Sequence, residues 1–259
     1  MAEPTCAPIG QFCWTELATS DMAASKAFFA GLFGWTSEDM PAAMGSYTIF
    51  RLGGLDVGGG FPAGPEMGPP HFTCYVQVAS AEAAAAKAKE LGATVIMGAF
   101  DVEGIGRMAV LQDPGGAVFS VWQSGSHQGA GVFNAPGALC WCELMTRDLD
   151  GAEAFYSALF GWNLKRGTGG GMTYTEADLG DGQPFAGLFT PDWPGSEHIP
   201  PHWNPYFLVE DVDASAAKAK ALGATVHQEP MDIEKVGRFA SLQEPGGASF
   251  SIFKLAHPM

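Results

Sequence analysis

Apolar positions along the chain follow two rhythms, alternation and a three-to-four spacing, and the switch between them marks the elements. A short strand-like run covers Phe12 to Ala18. Thr19-Ser20-Asp21 then supplies a helix N-cap, Gly34 supplies the stop, and Phe28, Leu32 and Trp35 recur at helical spacing as the predicted buried face. Two β runs follow, Tyr47 to Leu52 and Leu55 to Phe61, joined at Gly53-Gly54, where a tight hairpin needs positive φ. The order then restarts with a strand over Phe72 to Val78 and an Ala-rich helix over Ala81 to Leu91, stopped by Gly92. A strand over Thr94 to Met97 comes next, then a hairpin of Arg107 to Leu111 and Ala117 to Trp122 across Asp113-Pro114-Gly115-Gly116.

The whole pattern is written twice. At an offset of 127, the 23 residues from Cys13 to Trp35 match those from Cys140 with 12 identities; at an offset of 131, the 48 residues from Tyr75 to Trp122 match those from Tyr206 with 26. A period this long is a domain, not a solenoid unit. The division predicted is 1–128 and 129–259, within the linker-like stretch Gln123 to Ala138. Strand, helix, then two or three strands, four times over, predicts an α+β fold with helices covering one face of a mostly antiparallel sheet. The other face must pack on something or line a cavity.

Composition narrows the function. Charged residues are 16% against roughly 25% in an average soluble protein, with 35 Gly and 47% apolar residues, so the chain is core-rich and turn-rich. An excess of 28 acidic over 13 basic residues gives a net charge of −15, which repels phosphate backbones and anionic lipid surfaces. No nucleic-acid or membrane partner is expected. No signal-like start or run of about 18 apolar residues occurs, so the expected location is cytoplasmic. Five cysteines without a C-x-x-C pair read as reduced, mostly strand-borne small hydrophobes.

The opener WTELATSDMAASKAFFAGLFGW, the turn-and-strand DPGGAVFSVWQ, and their copies WCELMTRDLDGAEAFYSALFGW and EPGGASFSIFK resemble the vicinal-oxygen-chelate superfamily of glyoxalase I, bleomycin-resistance proteins and extradiol dioxygenases. More closely, the chain resembles tandem glyoxalase-like proteins. The resemblance implies two βαβββ modules per half, curling into partly open barrels with helices outside, and an intramolecular pseudo-dimer that is a monomer or weak homodimer. It also places the metal ligands of metal-using members, usually His, Gln or Glu, at Trp14 and Trp141, at Thr73 and Asn204, and at Ser120 and Ser251. These are poor ligands for a divalent ion. The resemblance therefore implies no metal here, and no other cofactor is expected.

In the register the family implies, Trp14, Glu16 and Ala18 face the cleft with Thr73, Tyr75, Gln77, Ser120 and Trp122; Trp141, Glu143, Met145, Asn204, Tyr206, Ser251 and Phe253 do so in the copy. Aromatic walls with a few polar groups describe a small-molecule pocket, although Trp14 and Trp141 are equally readable as core residues. Glu16 and Glu143 interrupt apolar strands and need a reason to be there. They are either general bases facing the cleft or structural partners of Arg107 and Arg238. His71 and His202 follow Pro-Pro in both halves; they either cap the cleft or bond to backbone. His127, His198, His227 and His257 lack repeat mates and are assigned no role. Gly58-Gly59-Gly60 is not a phosphate loop.

Two functions stay open. The first is metal-independent binding of a hydrophobic or aromatic metabolite or antibiotic in inter-module clefts. The second is an enzyme, a glyoxalase-like lyase, isomerase or oxidoreductase of hydroxylase type, with Glu16 or Glu143 moving a proton. Divergence of the two halves, one working and one scaffold, is a third possibility.

Overall fold

A computed structural model describes residues 7–42, 45–169 and 172–256; Cys6 and His257 lie outside them. The first half runs β1 (Phe12–Thr19), α1 (Met22–Phe33), β2 (Thr36–Ala42), β3 (Gly45–Leu52), β4 (Leu55–Pro62), β5 (His71–Gln77), α2 (Ala81–Glu90), β6 (Thr94–Asp101), β7 (Gly106–Gln112) and β8 (Val118–Ser124). The second repeats it with β9 (Leu139–Met145), α3 (Leu149–Phe160), β10 (Asn163–Gly169), β11 (Met172–Asp178), β12 (Ala186–Phe189), β13 (His202–Leu208), α4 (Val212–Ala221), β14 (Thr225–Ile233), β15 (Gly237–Gln243) and β16 (Ser249–Leu255). β2 and β10 escape the sequence pattern because TSEDMPA and NLKRGTG are largely polar edge strands.

Each half forms one open eight-stranded sheet, β2-β3-β4-β1-β5-β8-β7-β6 in the first and the same order in the second. Two parallel pairs, β1 with β4 and β5 with β8, join the modules' hairpins; the other pairs are antiparallel. The helix signals act as read: Asp21 Oδ1 accepts the Ala24 N–H at 3.0 Å, and Gly34 ends α1 at φ 74°.

The helices lie between the two sheets, and one core runs through both halves. Phe28 and Phe29 of α1 pack on Phe250 of β16, while Phe155, Tyr156 and Phe160 of α3 pack on Phe119 of β8. Trp35 and Trp162, repeat mates, each donate their indole N–H across the junction, to Gly137 O at 2.8 Å and Gly10 O at 2.6 Å. The D/E-P-G-G turns do more than turn: Asp113 accepts the Tyr156 hydroxyl at 2.8 Å and Glu244 accepts Ser25 Oγ at 2.7 Å, each from the opposite half. Lys87 and Lys218 reach the carbonyls of Leu159 and Leu32 at the ends of α3 and α1.

Candidate ligand site on the concave sheet faces

Packing the helix-bearing faces together leaves the concave face of each sheet for a site. Leu17, Phe72, Cys74 and Val76 point into the shared core, so their strand neighbours point the other way. The register brings the candidates together: Trp14 lies opposite Tyr75, Glu16 opposite Thr73 and Ala18 opposite His71, while Tyr75 and Gln77 lie opposite Ser120 and Trp122. The copy sets Trp141 against Tyr206, Glu143 against Asn204, Met145 against His202, and Tyr206 against Ser251, with Phe253 one step along. A bulge between Phe12 and Trp14 turns Phe12 into the core, against Trp162 and Trp203, while Trp14 stays on the concave side.

At the centre of each face is one carboxyl held by two phenols. Tyr47 donates to Glu16 Oε1 at 2.8 Å and Tyr75 to Oε2 at 2.7 Å; Trp14 Nε1 donates to Tyr47 Oη at 3.2 Å. In the copy Tyr174 and Tyr206 donate to Glu143 at 2.8 and 2.5 Å, and Trp141 donates to Tyr174 at 3.0 Å. Burial pushes both carboxyls above the ordinary range. The tyrosine hydroxyls, and for Glu16 the nearby His71, pull the other way and favour the anion.

The arginine partnership is therefore overturned. Arg107 pairs with Glu82 and Arg238 with Asp213 and Asp232, on the helix-bearing side of each sheet. Phenols within reach on the concave face satisfy the carboxyls instead. The strand pattern alone does not mark Tyr47 and Tyr174, although they stand 127 apart like the glutamates they hold.

His71 and His202 place Nδ1 against the carbonyls of Pro69 and Pro200 at 2.9 and 2.8 Å. His127, assigned no role, stands edge-on to Trp14 and Trp122, with ring centroids 4.7 and 5.7 Å away. With Ala7 and Ala130 it covers the far end of the first face, where Cys13, Trp14, Ile49, Tyr75 and Trp122 form a second small core. Cavities of about 250 and 320 Å³ open elsewhere, beside Lys87 and Phe160 and beside Arg238 and Lys254; Glu16 and Glu143 line neither.

The donor set does not fit a divalent cation. Each face offers one carboxyl, both of whose oxygens already accept phenol protons, and one imidazole whose Nδ1 already faces a proline carbonyl, among hydroxyl, carboxamide and indole groups. Among the described residues, no three His, Cys, Asp or Glu side chains converge as a metal site would need.

A doubled βαβββ sheet with a polar centre on its concave face defines a fold class, and sequence comparison agrees with it. Residues 138–252 match the Glyoxalase/Bleomycin resistance protein/Dioxygenase superfamily and residues 14–122 match a Glyoxalase-like domain. The chain belongs to this superfamily. It is 40% identical over 249 residues to "Putative glyoxylase CFP32" of Mycobacterium tuberculosis (strain CDC 1551 / Oshkosh), covering 94% of each chain. It is 37% identical over 262 residues to "Anthracycline biosynthesis protein DauV" of Streptomyces sp. (strain C5), covering 95% of this chain and 94% of that one. In fold it is similar to the Mn(II)-bound glyoxalase from Novosphingobium aromaticivorans, with a TM-score of 0.68, 15% identity, and coverage of 95% and 82%. It is also similar to the 2,3-dioxygenase LapB from Pseudomonas sp. KL28, with a TM-score of 0.67, 14% identity, and coverage of 98% and 96%. No helix among the described residues is long and apolar enough to cross a membrane.

Proposed function

We propose that the protein binds a small, flat, aromatic or hydrophobic molecule on a concave sheet face without a metal ion. The observation that carries this reading is the Trp–Tyr–Glu–Tyr constellation, built twice from the same strands. The half-buried phenols Tyr47 and Tyr174, with the half-buried indole of Trp141, supply apolar area, and the glutamates supply a hydrogen-bond acceptor in a low-dielectric setting. The name of the Streptomyces relative, an anthracycline biosynthesis protein, is in keeping with a polycyclic aromatic ligand. The test is a fluorescence titration of chelator-treated protein with alizarin, a flat hydroxyquinone. Saturable quenching that survives chelation is expected. Binding that appears only after a divalent metal is restored would overturn metal independence, and no quenching at all would overturn the ligand class.

Proton transfer is the second reading, favoured by one observation: Glu16 is only half-buried, and its carboxyl is pushed upward by its surroundings, as a general base requires. On this reading Glu16→Gln and Glu143→Gln abolish turnover of an α-oxoaldehyde adduct or related substrate while binding persists. Unchanged turnover with a lower melting temperature would leave the glutamates as anchors.

A further inference from the structure

We infer that the first half carries the working ligand niche, and that the second half fills the equivalent niche with its own Asn204 side chain. This deepens, and rests on, the reading of the concave face as a ligand surface. Thr73 and Asn204 are repeat mates, directly opposite Glu16 and Glu143. In the second half, Asn204 Nδ2 donates to Ser251 Oγ at 2.9 Å, so two buried polar groups satisfy each other. Thr73 has no carboxamide to offer. Ser120, the mate of Ser251, is 0% exposed, and its hydroxyl has no partner at hydrogen-bonding geometry although it stands beside the Tyr75 phenol.

At the carboxyl and the residue opposite it accessibility follows the same difference, while the indoles run the other way, Trp14 buried and Trp141 half-buried. Glu16 and Thr73 are half-buried, whereas Glu143 and Asn204 are buried. Gln77, on the same face as Ser120, donates to Ser124 Oγ at 2.7 Å and leaves its carboxamide oxygen unpaired; its mate in the second half is the apolar Leu208. Buried polar groups are ordinarily satisfied, and the orphan Ser120 hydroxyl, one same-face step along from the reachable Glu16, marks a place where a ligand supplies the missing partner, whereas Gln77 lies further on, at the end covered by His127. Ser120 can donate to a carbonyl oxygen, and Glu16 can accept from a hydroxyl. His127 closes the far end, so entry is from the His71 and Thr73 side. The niche therefore takes a flat aromatic molecule that carries both a hydroxyl and a carbonyl oxygen.

Reciprocal exchange of the two mates tests this, with alizarin as titrant in calorimetry. The native protein is expected to bind one equivalent per chain. Thr73→Asn, which installs the second half's plug, should weaken binding about tenfold or more, and Ser120→Ala, at unchanged melting temperature, should weaken it about tenfold. Asn204→Thr should add a second equivalent. Two equivalents in the native protein, or full-strength binding by Thr73→Asn, would overturn the assignment while leaving ligand binding intact. Failure of alizarin to bind native protein would remove the ligand-binding reading and this inference together.

Discussion

The Tyr47 ring reaches Glu16 by crossing the bare backbone of Gly59. Tyr47 sits on β3 and Glu16 on β1, with β4 between them, and Gly59 of β4 lies directly opposite both Ile49 and Glu16. A β-carbon there would overlap the phenol, and one at Gly187 would overlap Tyr174 in the same way. Gly59→Ala and Gly187→Ala should each expel a tyrosine from its glutamate and destabilise by about 1–3 kcal/mol, as overpacking does. Gly98→Ala, where no neighbouring atom lies within 4 Å, is the control. Urea unfolding decides: equal stability of Gly59→Ala and Gly98→Ala would mean that the crossing does not require glycine.

The raised carboxyls make stability depend on pH in a definite direction. Burial lifts Glu16 and Glu143 above their ordinary value of 4.5, so between that value and the native one the folded state holds protons that the unfolded chain has lost. Stability from these groups is therefore present at low pH and lost as pH rises through the native values. Glu16→Gln and Glu143→Gln remove the titration. The variants' melting temperatures, relative to native protein, should improve as pH rises from about 4.5. A difference that stays constant with pH would show that the carboxyls are not raised.

Much of this was legible because the duplication repeats each clue. The register that the family resemblance implies places Trp14, Glu16, Thr73, Tyr75 and Ser120 on one face, and the structure brings them together in it. Less visible was the glutamates' choice of partner. Arg107 and Arg238 were plausible by charge, but period-two geometry sends them away from the concave side, while Tyr47 comes from a strand two places along the sheet. His127 was unreadable for a different reason: a linker residue has no periodicity, and it has no repeat mate to mark it.

The paired indoles tie the halves into one folding unit. Trp35 and Trp162 each spend their only donor on a backbone carbonyl of the opposite half, inside a core that includes residues of both sheets. Trp35→Phe and Trp162→Phe remove that bond and should cost about 1–3 kcal/mol each. Because the core is continuous, circular dichroism and tryptophan fluorescence should report one coincident unfolding transition in the native protein. Separate transitions would mean that each half is stable without the other's indole.

His127 should make the cover of the first concave face sensitive to acid. Burial lowers its pKa from the ordinary 6.5, with Asp56 opposing from 4.0 Å, so the imidazole is neutral where it meets Trp14 and Trp122. As pH falls below about 6.5, the unfolded or displaced segment takes up a proton that the packed ring resists, and the cover loses stability. Acrylamide should then quench tryptophan fluorescence more strongly at about pH 5 than at about pH 7 in native protein. His127→Phe keeps a ring against the indoles but cannot titrate, so its quenching should change little over the same range. An equal pH response in both proteins would assign the effect to another group and leave His127 as packing alone.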